Sequence, residues 1–206
     1  MRKIVEESSV VIAGYWNPSI IVPEWINQYL RAGSDQNVGI TLQIGNPTSP
    51  VIYEFDKIKL KVRADRIEFV PEDNDTCKLD VINTAKSIVS ELKHTPVQAV
   101  GVNFVYLEES PYDSLLDIFQ INDTDRIVDL QIKLNGSQVG RKLSFNDSED
   151  FELNFIAILN ENGSVKLNFN FSKNISVLEE VNSFLEKGIA FYEEKVQKIL
   201  KIYSQN

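Results

Sequence analysis

The chain has 206 residues, 43% of them hydrophobic and 25% charged, with a single Cys, a single His and a single Met. This is the make-up of an ordinary globular protein, and it excludes a disordered chain, a collagen-like repeat, a disulfide scaffold and a membrane-spanning apolar run. The formal charge of −9 at pH 7 disfavours the phosphate contacts that dominate nucleic-acid affinity.

Val10 to Trp16 is almost wholly apolar and β-branched, which predicts a buried strand. Pro23 suits the first turn of a short helix over Glu24 to Leu30. Gly39 to Ile44 follows as a strand, and Gly45 to Pro50 as a turn. Val51 to Phe55 is the next strand. Ile58, Leu60 and Val62 then alternate with Lys57, Lys59, Lys61 and Arg63, the pattern of a half-buried strand with one wet face. Ala64-Asp65 turns the chain into a strand from Arg66 to Val70, and a helix is expected from about Asp75 to Leu92.

The second half repeats this order. Val97 to Tyr106 is again an apolar strand, and Pro111 opens a short helix reaching Phe119. Arg126 to Leu134 and Val139 to Phe145 flank Asn135-Gly136, a hairpin turn. Phe151 to Leu159 and Ser164 to Phe171 form another hairpin. A long helix from about Val177 to Tyr203 ends the chain, its apolar residues recurring every three or four positions from Leu178 to Tyr203.

Both halves thus read β-α-β-β-β-β-α, and their early parts keep a constant spacing of 88, with Trp16 matching Phe104, Pro23 matching Pro111, and Leu42-Gln43-Ile44 matching Leu130-Gln131-Ile132. This points to an internal duplication, residues 1–95 and 96–206, within one compact α+β unit. The order of elements resembles the TATA-binding-protein-like fold, a tandem pair of β-α-β4-α units. That resemblance implies one curved antiparallel sheet with the helices on one face. It does not carry DNA binding with it, because the paired aromatic wedges of that family have no counterpart on the strand faces assigned to solvent.

No phosphate-binding glycine loop, nucleophile elbow or zinc-protease helix occurs. His94 follows the first long helix, where an imidazolium would meet the helix's negative end, and Cys77 lies in that helix's first turn among carboxylates. Asp123, Asp125 and Asp129 suggest a calcium loop, but the pattern fails at Ile127 and Val128, and Leu134 stands where a bidentate Glu is needed. No metal and no cofactor is therefore expected.

Two surface features remain. Residues 1–95 carry 11 basic and 13 acidic side chains, whereas residues 96–206 carry 10 and 17. Much of that excess comes from Glu108, Glu109, Asp113, Asp117, Asp123, Asp125 and Asp129, opposed locally by Arg126. Such a patch attracts a basic protein face and repels DNA and membranes. The other feature is the basic row Lys57, Lys59, Lys61, Arg63 and Arg66, facing the same way as Asn154, Lys166, Asn168 and Asn170 of the second half.

These features lead to an acidic, non-enzymatic binding protein that works through protein–protein contacts, as an adaptor, an inhibitor, or an antitoxin or phage-conflict component. A nucleic-acid binder using the basic row is the alternative, and a carboxylate-dependent enzyme the second. Met1-Arg2-Lys3 runs into Glu6 and Glu7 without an apolar leader, so a cytoplasmic location is expected. The last helix is long enough that its final turns offer a homodimer contact.

Overall fold

The computed structural model describes residues 1–31, 37–42, 49–73, 78–120, 136–145 and 150–204. Among them, ten strands make one antiparallel sheet: β1 (Arg2–Lys3), β2 (Ser9–Gly14), β3 (Gly39–Thr41), β4 (Val51–Phe55), β5 (Ile58–Val62), β6 (Arg66–Pro71), β7 (Val97–Glu108), β8 (Ser137–Leu143), β9 (Glu152–Leu159) and β10 (Val165–Asn174). The helices are α1 (Pro23–Tyr29), α2 (Lys78–Glu91), α3 (Asp113–Leu116), α4 (Glu179–Glu186) and α5 (Gly188–Ser204), with 3-10 turns at Val5–Glu7 and Asp117–Phe119. The fold class is α+β, as the sequence pattern requires.

The strands lie in the order β3-β4-β5-β6-β2-β7-β10-β9-β8, with β1 beside β7. β2 pairs with β6 and β7 with β10, so in each half the strand that leads into the proline-headed helix pairs with that half's last strand, and β2 and β7 meet in the middle. The strand expected over Arg126–Leu134 lies outside the described residues.

Period-two alternation decides which side each residue takes. Val10, Ile12, Leu60, Ile67, Phe69, Val102, Phe104, Phe155, Phe169 and Phe171 all point to one side and are fully buried. Val81, Ala85 and Ile88 of α2, Val181 and Phe184 of α4, and Tyr192 and Val196 of α5 complete that core. Full burial of one such side chain contributes about 1.5–3 kcal/mol, so this side of the sheet supplies most of the stability. The opposite side carries no helix among the described residues.

At the centre, Gly101 permits a close approach. A Cβ there would stand 2.8 Å from the carbonyl oxygen of Phe171 on β10, closer than side chains tolerate.

Several elements depart from the expected boundaries. The first strand ends at Gly14, where its register against β7 shifts; Trp16 leaves the ladder, and its buried indole Nε1 donates to the Ile12 carbonyl at 3.1 Å. The N-terminus contributes a strand, β1, and a 3-10 turn that the sequence pattern does not announce. The single long C-terminal helix is two helices, of 8 and 17 residues. Gly188 takes φ +76°, the left-handed conformation that ends a helix at glycine. The apolar period continues across the break, which is why the sequence reads as one helix.

The β4–β5 hairpin turns on Asp56-Lys57, at φ +46° and +61°. Both signs match the two-residue turn whose twist suits a hairpin. Lys57 therefore sits in the turn and not in the strand row assigned to it.

Candidate functional site

The helix-free side of the sheet follows from register. Val11 lies opposite Glu68 on β6 and Gly101 on β7, and Ser9 lies opposite Asn103. Asn103 in turn faces Asn170 on β10, which faces Asn154 on β9. These polar residues form a hydrogen-bonded row across four adjacent strands. Asn154 Nδ2 donates to Asn170 Oδ1 at 3.4 Å, Asn170 Nδ2 to Asn103 Oδ1 at 2.5 Å, and Asn103 Nδ2 to Ser9 Oγ at 3.2 Å. Each carboxamide has two N–H donors and one oxygen with two lone pairs. The row occupies one donor of each amide, so further donors and lone pairs face the open side.

A groove of about 460 Å³ runs over Ser9, Asn103 and Asn170 of this row. Its floor is small or weakly polar: Ser9, Val11, Ala13, Ala99, Gly101, Asn103, Asn170 and Ser172. Glu6 and Glu7 stand at its edge, as do Lys61, Arg66 and Glu68. Arg66 Nε is buried without a hydrogen-bond partner among the described residues; its nearest carboxylate oxygen, Oε1 of Glu68, is 3.8 Å away.

The basic row is divided by the fold, and three of its five cations, Lys57, Lys59 and Arg66, stand beside carboxylates. Lys59 and Lys61 do lie on the open side, as alternation requires, but Lys59 pairs with Glu54 at 3.6 Å. Lys57 pairs with Asp73 at 3.7 Å from its turn, and Arg66 with Asp65 at 3.1 Å. Lys61 lies across the ladder from Glu68. Arg63 caps the strand end, its backbone N–H donating to the Arg66 carbonyl at 2.9 Å. On the other wing, Lys166 pairs with Glu7 and Lys142 with Glu152, and Asn168 is half-buried.

The acidic residues are distributed differently. Glu108, at the end of β7, lies 2.6 Å from the Met1 ammonium and accepts the Ser110 N–H at 3.2 Å. The hydrogen bond from that ammonium holds its pKa below the ordinary value, against the effect of burial. Glu109, Asp113 and Asp117 are exposed, and among the described residues no cation pairs with them. Asp117 Oδ1 accepts a hydrogen bond from Gln120 Nε2 at 3.0 Å, and Ser114 Oγ ties α3 to the Tyr203 carbonyl at 3.0 Å. Asp123 and Asp125 lie outside the described residues, as do Asp129 and Cys77. His94 is exposed in the turn that follows α2.

Among the described residues no three His, Cys, Asp or Glu side chains gather as metal ligands, and no helix is long and apolar enough to cross a membrane. Sequence reasoning missed Ser9 and Asn103. The signal was present, since Asn103 is the one amide inside the otherwise apolar run Ala99–Val105.

No protein-family model matches this chain, and no curated protein or solved structure matches it either.

Proposed function

We propose that the chain is a non-enzymatic binding protein that meets a protein partner through the uncovered face of its sheet, as an adaptor or an inhibitor. The observation that carries this reading is the row Ser9–Asn103–Asn170–Asn154, whose first three members lie on the floor of an open groove. A floor that offers amide and hydroxyl groups beside Val11, Ala13 and Ala99, with Glu68 and Arg66 across the ladder from Val11 and Ala13, has the mixed polar and apolar character of a protein interface. A phosphate track needs cations that are not already neutralised, whereas Lys59 and Arg66 each have a carboxylate beside them. Exposed Glu109, Asp113 and Asp117 would steer a basic partner from a distance, a role in association rate more than in affinity.

We also read residues 1–95 and 96–206 as two copies of one β-α-β4-α unit in the TATA-binding-protein-like arrangement. The support is the order β6-β2-β7-β10, in which each half pairs the strand before its proline-headed helix with its last strand. Nucleic acid on the same groove is the second reading, favoured by Lys61 and Arg66 in its lining.

The test is affinity capture from extracts of the source cells with three forms of the protein: wild type, the face variant Asn103→Arg/Asn170→Arg, and the acidic variant Asp113→Asn/Asp117→Asn. A protein recovered by the wild type, lost with the face variant and retained with slower association by the acidic variant supports the proposal. Undiminished recovery of that protein by a folded face variant overturns it, and recovery of nucleic acid in its place supports the second reading.

A further inference from the structure

We infer that β3 is a pairing edge for a second copy of this chain, which would extend the sheet across a two-fold axis near Ile40. Among the described residues β3 pairs with β4 alone, through Gly39–Glu54, Ile40–Tyr53 and Thr41–Ile52. Sheet edges invite pairing with another chain, and natural proteins blunt them with lysines, prolines or bulges. The stretch Asn37–Leu42 has neither charge nor proline, while the outermost described strand at the other end, β8, carries Arg141 and Lys142.

The edge is also apolar on one side. Ile40 is 52% and Leu42 62% exposed, although residues at this parity point to the helix-covered side of the sheet. Tyr53, the ladder partner of Ile40, donates its phenol hydroxyl to the Ile21 carbonyl at 2.6 Å. That bond ties the segment holding the exposed Ile20 and Val22 to β4, the strand that β3 pairs with.

Charge selects the occupant. A chain of net −9 resists meeting its own copy through most of its surface, but residues 1–95 contribute only 11 basic against 13 acidic groups. A two-fold axis at β3 sets these nearly neutral halves together and keeps the strongly acidic halves at the far ends. The contact is self-complementary, as a two-fold interface must be. In antiparallel register Ile40 faces its own copy and Leu42 faces Val38, all on one side of the joined sheet. So short a strand with a small apolar margin makes a weak interface, below the area of stable complexes.

Sedimentation equilibrium of the intact chain tests the inference. The wild type should show a concentration-dependent dimer that tightens as salt rises, because screening relieves the mutual repulsion of two acidic copies. Ile40→Lys should raise the dissociation constant at least tenfold with an unchanged circular dichroism spectrum, whereas Ile202→Lys on the exposed side of α5 should leave it unaltered. In a Cys77→Ser background, Ile40→Cys should form a disulfide-linked dimer on mild oxidation, because directly opposed residues of paired strands lie within bridging distance. A monomer at every concentration overturns the inference. So does a dimer indifferent to Ile40→Lys, and so does a dimer lost through Ile202→Lys alone, which would place the contact on the C-terminal helix.

Discussion

Arg31 grips Asp56 with two parallel hydrogen bonds, Nε to Oδ2 at 2.8 Å and Nη2 to Oδ1 at 2.9 Å. The guanidinium side chain is fully buried, donates also to Asn27 Oδ1 at 3.1 Å, and lies 5.8 Å from the centre of the Phe55 ring. Asp56 is the first residue of the β4–β5 turn, so one side chain just beyond α1 fixes the hairpin that presents Lys59 and Lys61. Asp56→Ala strips the carboxylate from a buried cation and also places alanine at positive φ. Its expected cost is about 2 kcal/mol, below the range for a fully buried pair because the Asp56 carboxylate is half-exposed, read as a lower urea midpoint. Asp56→Asn, which keeps the acceptor and tolerates the backbone, should cost clearly less. Equal midpoints for Asp56→Ala and wild type would show that the pair contributes nothing.

Gly101 should not accept a side chain. Gly101→Ala forces the new methyl against the Phe171 carbonyl, and the two central strands must part to admit it. A loss of about 1–3 kcal/mol is expected from such overpacking, measured by thermal or chemical unfolding, whereas Gly140→Ala, with open space at that position, should change stability little.

Acid should unfasten the N-terminal strand. Glu193 on α5 receives Lys3 Nζ and Lys78 Nζ, each at 2.7 Å. Burial raises its pKa, but the hydrogen bonds from the two lysines outweigh burial and leave it below the ordinary glutamate value. A carboxyl group lowered in the folded state stabilises fully above its unfolded pKa and loses that contribution as pH falls through the folded value. The stability difference between wild type and Glu193→Gln should thus be largest near neutral pH and shrink as pH drops below the glutamate range. A difference that stays constant down to acid unfolding would rule this linkage out.

At the other extreme of pH, Tyr106 should resist ionisation. Burial, then the nearby Glu193 charge, push its phenol up to about 12, against a smaller opposing effect of the Gln197 hydrogen bond. A spectrophotometric titration should show a tyrosine ionising well above the ordinary phenol range, and Tyr106→Phe should remove that component. The raised value makes the contribution complete below the unfolded pKa and lost as pH rises toward the folded one.

Duplex DNA should bind weakly at physiological salt. The net charge is −9, and the cations on the open face are largely matched by carboxylates. Micromolar or tighter binding that disappears in Lys59→Glu/Lys61→Glu would favour the nucleic-acid reading.

Much of this architecture is local information. Alternation in Ile58–Val62 placed Lys59 and Lys61 on the wet side, largely apolar runs marked β2 and β7 as inner strands, and Pro23 set the start of α1. Each of these follows from a pattern only a few residues long, because a strand repeats every two residues and a helix every 3.6. What the tertiary structure decided lies at long range. Asn103 and Asn170 are 67 residues apart in the chain, and only the register of β7 against β10 joins them into one row. Arg31 and Asp56 meet only because α1 packs beside the β4–β5 turn. The break at Gly188 was equally hidden, because the apolar residues that α4 and α5 bury keep a helical spacing through it. Periodicity records which side of an element is buried; it carries no record of strand register or of which distant polar group satisfies a buried one, since those contacts exist only once the sheet has closed.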